Sequence, residues 1–161
     1  LSSQVARKLA TSPDHILLSA LASNGALPDD LQQAWATVPP GRITDMLPTN
    51  PRLCLEAQRL LAERLTLSIR VRLASSPSLA VETMSRLARP SEHRAVRLRL
   101  LERPDLHPGV LIGLLGDPDG RFRHRALRHP NLPEHFREFG LHASVNVLEI
   151  IVRAGIYPVA Y

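Results

Sequence analysis

Apolar residues recur along this chain with a long period laid over a short one. The anchors of the long period are turn residues: Gly25, Pro51, Pro77, Pro104, Pro130 and Gly155, spaced by 26, 26, 27, 26 and 25 residues. Two residues after each anchor stand Leu27, Leu53, Leu79, Leu106, Leu132 and Tyr157. Four before stand Leu21, Leu47, Leu73, Leu100, Ala126 and Ile151, and eight before stand Leu17, Ile43, Ile69, Val96, Phe122 and Val147. Positions −8 and −4 lie about one helical turn apart, so each unit predicts a short helix whose apolar stripe precedes the anchor. Pro or Gly then stops that helix, because Pro has no N–H and disfavours helix in the residue before it.

The residue two places on plugs the turn into the core. A second Pro often follows (Pro28, Pro108, Pro133, Pro158), where it can open the next helix at its first position. That second helix carries pairs such as Leu60 and Leu61 or Leu111 and Leu114, and it ends in a breaker such as VPPGR, RPSEH or GDPDG. One such helix pair cannot bury its own apolar face, whereas stacked neighbours can. The pattern predicts an all-α fold, an α-solenoid of about six 26-residue helical repeats forming a single domain over residues 1–161. A compact bundle of six short helix pairs is the alternative, against which the strict period favours uniform stacking. Val5, Leu9 and Pro13 imitate the first half of a unit, with the next anchor only twelve residues on. Residues 1–15 therefore read as an irregular N-terminal cap ahead of repeats over 16–161. The chain closes on IYPVAY without a polar second helix, an uncapped apolar end that could support self-association.

Composition agrees with short helices: 44% of residues are hydrophobic but only 4% aromatic, with 14 Pro and 8 Gly. Leu, Ala, Val and Ile supply the apolar content, whereas sandwiches and barrels favour aromatic and β-branched residues. No apolar run is long enough to span a membrane, the N-terminus lacks the apolar core of a signal peptide, and Cys54 is the single cysteine. A cytoplasmic setting is the default. No intramolecular disulfide or cysteine-based metal site can form within the sequence, and Cys54 reads as a small buried hydrophobe.

The segment LLGDPDGRFRHRALRHPNLPEHF at 114–136, with its DPD turn, its apolar-Arg helix start and its NP-x-LP phrase around helices, resembles the leucine-rich repeat variant family, a relative of HEAT-like repeats. The resemblance covers nearly the whole chain and is weakest at 1–15 and 138–150. It implies a right-handed superhelix in which α-helices alternate with shorter, often 3₁₀, helices, and it implies a scaffold rather than a chemistry. Some members carry a cysteine cluster for an iron–sulfur centre. With one cysteine here, that cofactor does not carry over.

Charge adds the main functional lead. Basic residues outnumber acidic ones 20 to 15, and Lys8 is the only lysine. Residues 68–137 hold thirteen Arg against seven acids. Two columns repeat within that segment: Arg70, Arg97 and Arg123 at −7, and Arg72, Arg99 and Arg125 at −5. Stacking would align each column into a ladder able to meet phosphates or an acidic protein surface. The two columns lie about 200° apart on an ideal helix, so they cannot share one narrow stripe. Arg stems also pack over apolar surface, and Glu102 and Asp105 stand near enough to pair locally. Phe122 and Phe136 sit in apolar columns, leaving the basic segment without the stacking aromatics of a single-strand binder. Trp35 stands where Leu61, Leu87 and Leu114 stand in later units and reads as core.

His124, His129, His135 and His142 cluster within nineteen residues without ligand spacing, and read as turn and surface residues. The GDPDG loop lacks the ligand series of a calcium loop, and no serine stands in a nucleophile elbow. No metal, cofactor or catalytic activity is expected. The leading expectation is a non-enzymatic scaffold for protein–protein interaction with an acidic partner surface, through Arg70, Arg72, Arg97, Arg99, Arg123 and Arg125. The alternative is sequence-tolerant binding of the DNA or RNA backbone through the same arginines.

Overall fold

The structure, a computed structural model, describes residues 2–137. The last unit of the sequence pattern, around Gly155, and His142 lie outside the described residues. Those described fall into two compact units divided between Leu87 and Ala88. They contain ten α-helices, one 3₁₀ turn and no strand. The fold is all-α.

The first unit runs α1 (Ser3–Leu9), α2 (His15–Ala22), α3 (Asp29–Thr37), α4 (Arg42–Met46), a 3₁₀ turn (Leu47–Thr49), α5 (Leu55–Ala62), α6 (Leu67–Ala74) and α7 (Val81–Leu87). The second holds α8 (Arg94–Leu101), α9 (Pro108–Leu115) and α10 (Gly120–Leu127), followed by helical residues 134–137. Helices α2, α6, α8 and α10 each stop three residues ahead of their anchors Gly25, Pro77, Pro104 and Pro130. The unit around Pro51 differs because Pro48 cannot donate to the residue 44 carbonyl and its ring crowds that turn. There α4 gives way to the 3₁₀ turn, the one 3₁₀ element among the described residues.

The anchor columns form the core. Leu27, Leu53, Leu79, Leu106 and Leu132 are buried, as are Leu21, Leu47, Leu73, Leu100 and Ala126. At −8, Ile69, Val96 and Phe122 are buried, while Leu17 and Ile43 are half-buried. Trp35, Leu61, Leu87 and Leu114 are buried in their own shared column. Within the first unit α2 packs on α4 and α4 on α6, while α3 packs on α5 and α5 on α7. Like helices therefore neighbour like, in two rows. Within the second, α10 packs on α9 and on α8. Pro108 opens α9 at its first position as expected, whereas Pro28 stands one residue earlier, at the N-cap of α3.

Between successive turns of the first unit runs a set of buried amides. Gln32 and Gln58, both seven residues after an anchor, are buried. Gln58 Nε2 donates to Leu53 O and Ser78 O, each at 2.8 Å, and its Oε1 accepts from Ala80 N at 2.8 Å. Gln32 repeats the arrangement with Leu27 O at 2.8 Å, Arg52 O at 3.2 Å and Cys54 N at 2.7 Å. Asn50 Nδ2 reaches back to Ala22 O and Asn24 O at 3.1 and 2.9 Å. A buried amide that satisfies loop carbonyls and an N–H together removes the desolvation penalty each would otherwise carry.

Helix α1 departs from the sequence expectation of a first-half imitation. It occupies the register of a second helix: Ala6, buried, stands 26 residues ahead of Gln32, while Val5 is exposed. Arg7 pairs with Asp30 at 2.5 Å as Arg59 pairs with Glu82 at 3.0 Å, both across 23 residues. The Arg7 hydrogen bond holds the Asp30 carboxyl below its usual range, and these exposed pairs contribute little to stability. More is expected from caps. Asp14 accepts from Ile16 N at 2.8 Å and Leu17 N at 3.3 Å at the start of α2. Asp14→Ala is expected to lower unfolding free energy by about 1 kcal/mol, read as an earlier urea midpoint at unchanged slope.

Candidate binding surface

The two arginine columns part company in space, as their separation around the helix requires. The −7 arginines turn inward. Arg70, half-buried, donates to Arg64 O in the loop ahead of its own helix. Arg123, also half-buried, repeats this six residues back, donating to Asp117 O, and to Pro118 O at 3.1 Å. Arg97 goes further. Its side chain is 5% exposed, forms an ion pair with an Asp117 side chain 1% exposed, and lies 3.7 Å from the Phe122 ring centroid. Burial lowers the Arg97 pKa from its usual value, an effect that the nearby charge of Asp119 partly offsets. A guanidinium that closes loops over carbonyl oxygens or sits buried against a carboxylate has few donors left for a ligand.

The −5 arginines, Arg72, Arg99 and Arg125, are exposed. Arg99 binds Glu102 at 2.8 Å on its own helix. Arg125 belongs to a larger feature. On α10 and at its C-cap, Arg121, His124, Arg125 and Arg128 are all exposed, and Phe122 and Ala126 are buried opposite them. Spacings of three, four and seven place the four exposed residues within about 100° of arc on one helix face. No acid occurs in α10, and among the described residues Arg121, Arg125 and Arg128 have no acidic partner. The nearest acids in sequence are occupied. Asp117 faces Arg97, and Asp119 accepts from Arg121 N at 2.9 Å as the N-cap of α10. The places matching this stripe on α8 are Ala95, Leu98, Arg99 and Glu102, so the feature belongs to α10 and is not a ladder.

Sequence reasoning missed Arg121 and Arg128, although their i, i+4, i+7 relation to Arg125 was the signal. The histidines have local duties. His93 Nδ1 accepts from Ala95 N and His107 Nδ1 from Gly109 N, both at 3.1 Å, capping α8 and α9. Buried His129 donates Nε2–H to Arg103 O at 2.8 Å while Nδ1 accepts from Asn131 N at 3.2 Å, which fixes the neutral Nε2–H tautomer. His124 and His135 are exposed, and among the described residues no three His, Cys, Asp or Glu side chains converge on a metal position. Cys54 is half-buried, its Sγ 3.9 Å from Asp29 O. No helix of the described residues is long and apolar enough to cross a membrane. Comparison of the chain with protein-family models, with curated proteins and with solved structures returned no match.

Proposed function

We propose that this chain is a non-enzymatic helical-repeat scaffold, a right-handed α-solenoid of about six 26-residue units, that binds an acidic surface of another protein. The observation that supports this reading is the one-sided α10 stripe: Arg121, Arg125 and Arg128, exposed and without acidic partners among the described residues. Charges held on a rigid helix and left uncompensated select a complementary surface and speed encounter with it. A nucleic-acid track has less support. The inward −7 column withdraws half of the expected cations, and the aromatic residues among those described, Trp35, Phe122 and Phe136, are all buried, leaving none to stack on bases.

The test is fluorescence anisotropy with a labelled glutamate-rich peptide, and with single-stranded and duplex oligonucleotides, at low and physiological salt. The peptide is expected to bind, and the charge-reversed R121E/R125E/R128E protein to bind it about tenfold or more weakly. Circular dichroism of that variant should be unchanged, since all three side chains are exposed. Tighter oligonucleotide binding with a steep salt slope, lost in the same variant, would replace the protein-binding reading with the nucleic-acid one. No binding of any probe at low salt would make the stripe a merely solvated face.

A further inference from the structure

The two most exposed large hydrophobic residues among those described are Leu65 at 96% and Ile16 at 69%, both in the first unit, which also holds an apolar cleft. The cleft, about 490 Å³, lies between the start of α2 and the turn that opens α4, and is lined by His15, Val38, Pro39, Gly41, Arg42 and Ile43. Ile16 follows the lining residue His15. Leu65 follows Arg64, which donates to Thr37 O at 3.3 Å and to Val38 O, so the Leu65 loop is tied to the cleft wall. Pro39 and Pro40 have no N–H, and Arg64 covers the two preceding carbonyls, so this turn faces outward largely as hydrocarbon. A volume of this size is that of an ordinary ligand pocket.

Of the residues lining the cleft, Arg42 is the one that carries a fixed charge. Arg42 is exposed and, among the described residues, has no acidic partner. His15 adds an exposed ring nitrogen. Asp14, beside it, is committed to the N–H groups of α2, and Asp45, three residues after Arg42, is half-buried and makes no ion pair. We propose that this cleft docks an extended acidic segment of another protein, taking one aliphatic side chain of leucine or isoleucine size while a flanking carboxylate meets Arg42. An aliphatic anchor would lie against Val38, Pro39 and Ile43, and the carboxylate would supply the counter-charge that Arg42 lacks. This surface is separate from the α10 stripe and stands or falls without it.

The test uses the whole chain carrying R121E/R125E/R128E, so that the α10 stripe contributes nothing to acidic probes. The probe is a fluorescein-labelled glutamate-rich peptide with a Leu-Pro-Leu centre, and its control has both leucines replaced by serine. Gly41→Leu is the blocking variant. At φ 175° the Gly41 backbone is extended and accepts any side chain, and a Cβ there meets nothing closer than Pro39 O at 4.0 Å. The leucine peptide is expected to bind, and to weaken about tenfold or more on Gly41→Leu and on Arg42→Glu, both changes at exposed sites that leave the core intact. No binding of the leucine peptide, equal binding of the serine peptide, or indifference to Gly41→Leu would overturn the proposal. So would a concentration-dependent dimer in sedimentation that Gly41→Leu abolishes, since a second copy would then be the occupant.

Discussion

Asp117→Ala is expected to destabilise the second unit by about 3–5 kcal/mol, because it leaves the buried Arg97 charge without its counter-ion. Arg97 cannot retreat to water: its side chain is 5% exposed and is held over Phe122. Its Nε already lacks a hydrogen-bond partner among the described residues. Nor can the guanidinium shed its proton, so burial is felt as lost stability and not as neutralisation. Asp117 also accepts from Asp119 N at 2.8 Å, which sets up Asp119 as the cap of α10. The loss should therefore reach α10 as well as the pair. Arg97→Met is expected to be similarly costly, since it strands a buried carboxylate. The double variant R97M/D117L removes both charges and should recover much of the loss, as replacement of buried pairs by apolar side chains often does. Urea unfolding followed by circular dichroism measures all three. A loss under about 1 kcal/mol for Asp117→Ala, the range of a surface pair, would mean that the pair is solvated and Arg97 not locked.

That pair explains how far the candidate site was legible in the sequence. Apolar columns are easily read because a leucine has one favourable place. The residues at −4 and +2 are accordingly buried in every described unit. An arginine has two, since its stem packs on apolar surface while its head finds carbonyls or carboxylates. The separation of the −7 and −5 columns around the helix follows from spacing alone. That the −7 set turns inward depends on where Asp117 and the loop carbonyls lie, which spacing does not encode. The α10 stripe was legible but required comparison along one helix instead of across repeats. The buried glutamines had a weaker signal: Gln32 and Gln58 are the same residue type 26 places apart, in a column where Met84 and Leu111 follow. Polar and apolar occupants of one column conceal its burial. The histidine caps were hidden for a related reason, because Ser, Thr, Asp and Asn are the residues expected at an N-cap.

Gln58→Leu puts the buried amides to the sharpest test, and is expected to cost about 2–5 kcal/mol, since three backbone groups lose their partner at once and each buried unsatisfied group costs about 1–3 kcal/mol before relaxation. The groups are Leu53 O, Ser78 O and Ala80 N, drawn from two successive turns. Leucine fills nearly the same volume, so a cavity is not the cause. Gln58→Glu separates the contributions. A carboxylate keeps an acceptor for Ala80 N but turns negative oxygen toward two carbonyls where Nε2 donated, and should be at least as damaging as leucine. Met84, buried, occupies the corresponding place in the next repeat, so the column itself accepts an apolar side chain and the cost at Gln58 comes from the bonds that it makes. Hydrogen exchange gives the local readout: Ala80 N–H should lose protection in Gln58→Leu, while Cys54 N–H, held by Gln32, should keep more of its own. Equal loss at both amides would show the turns of the first unit opening together, with the glutamines reporting on one cooperative stack instead of two separate clasps.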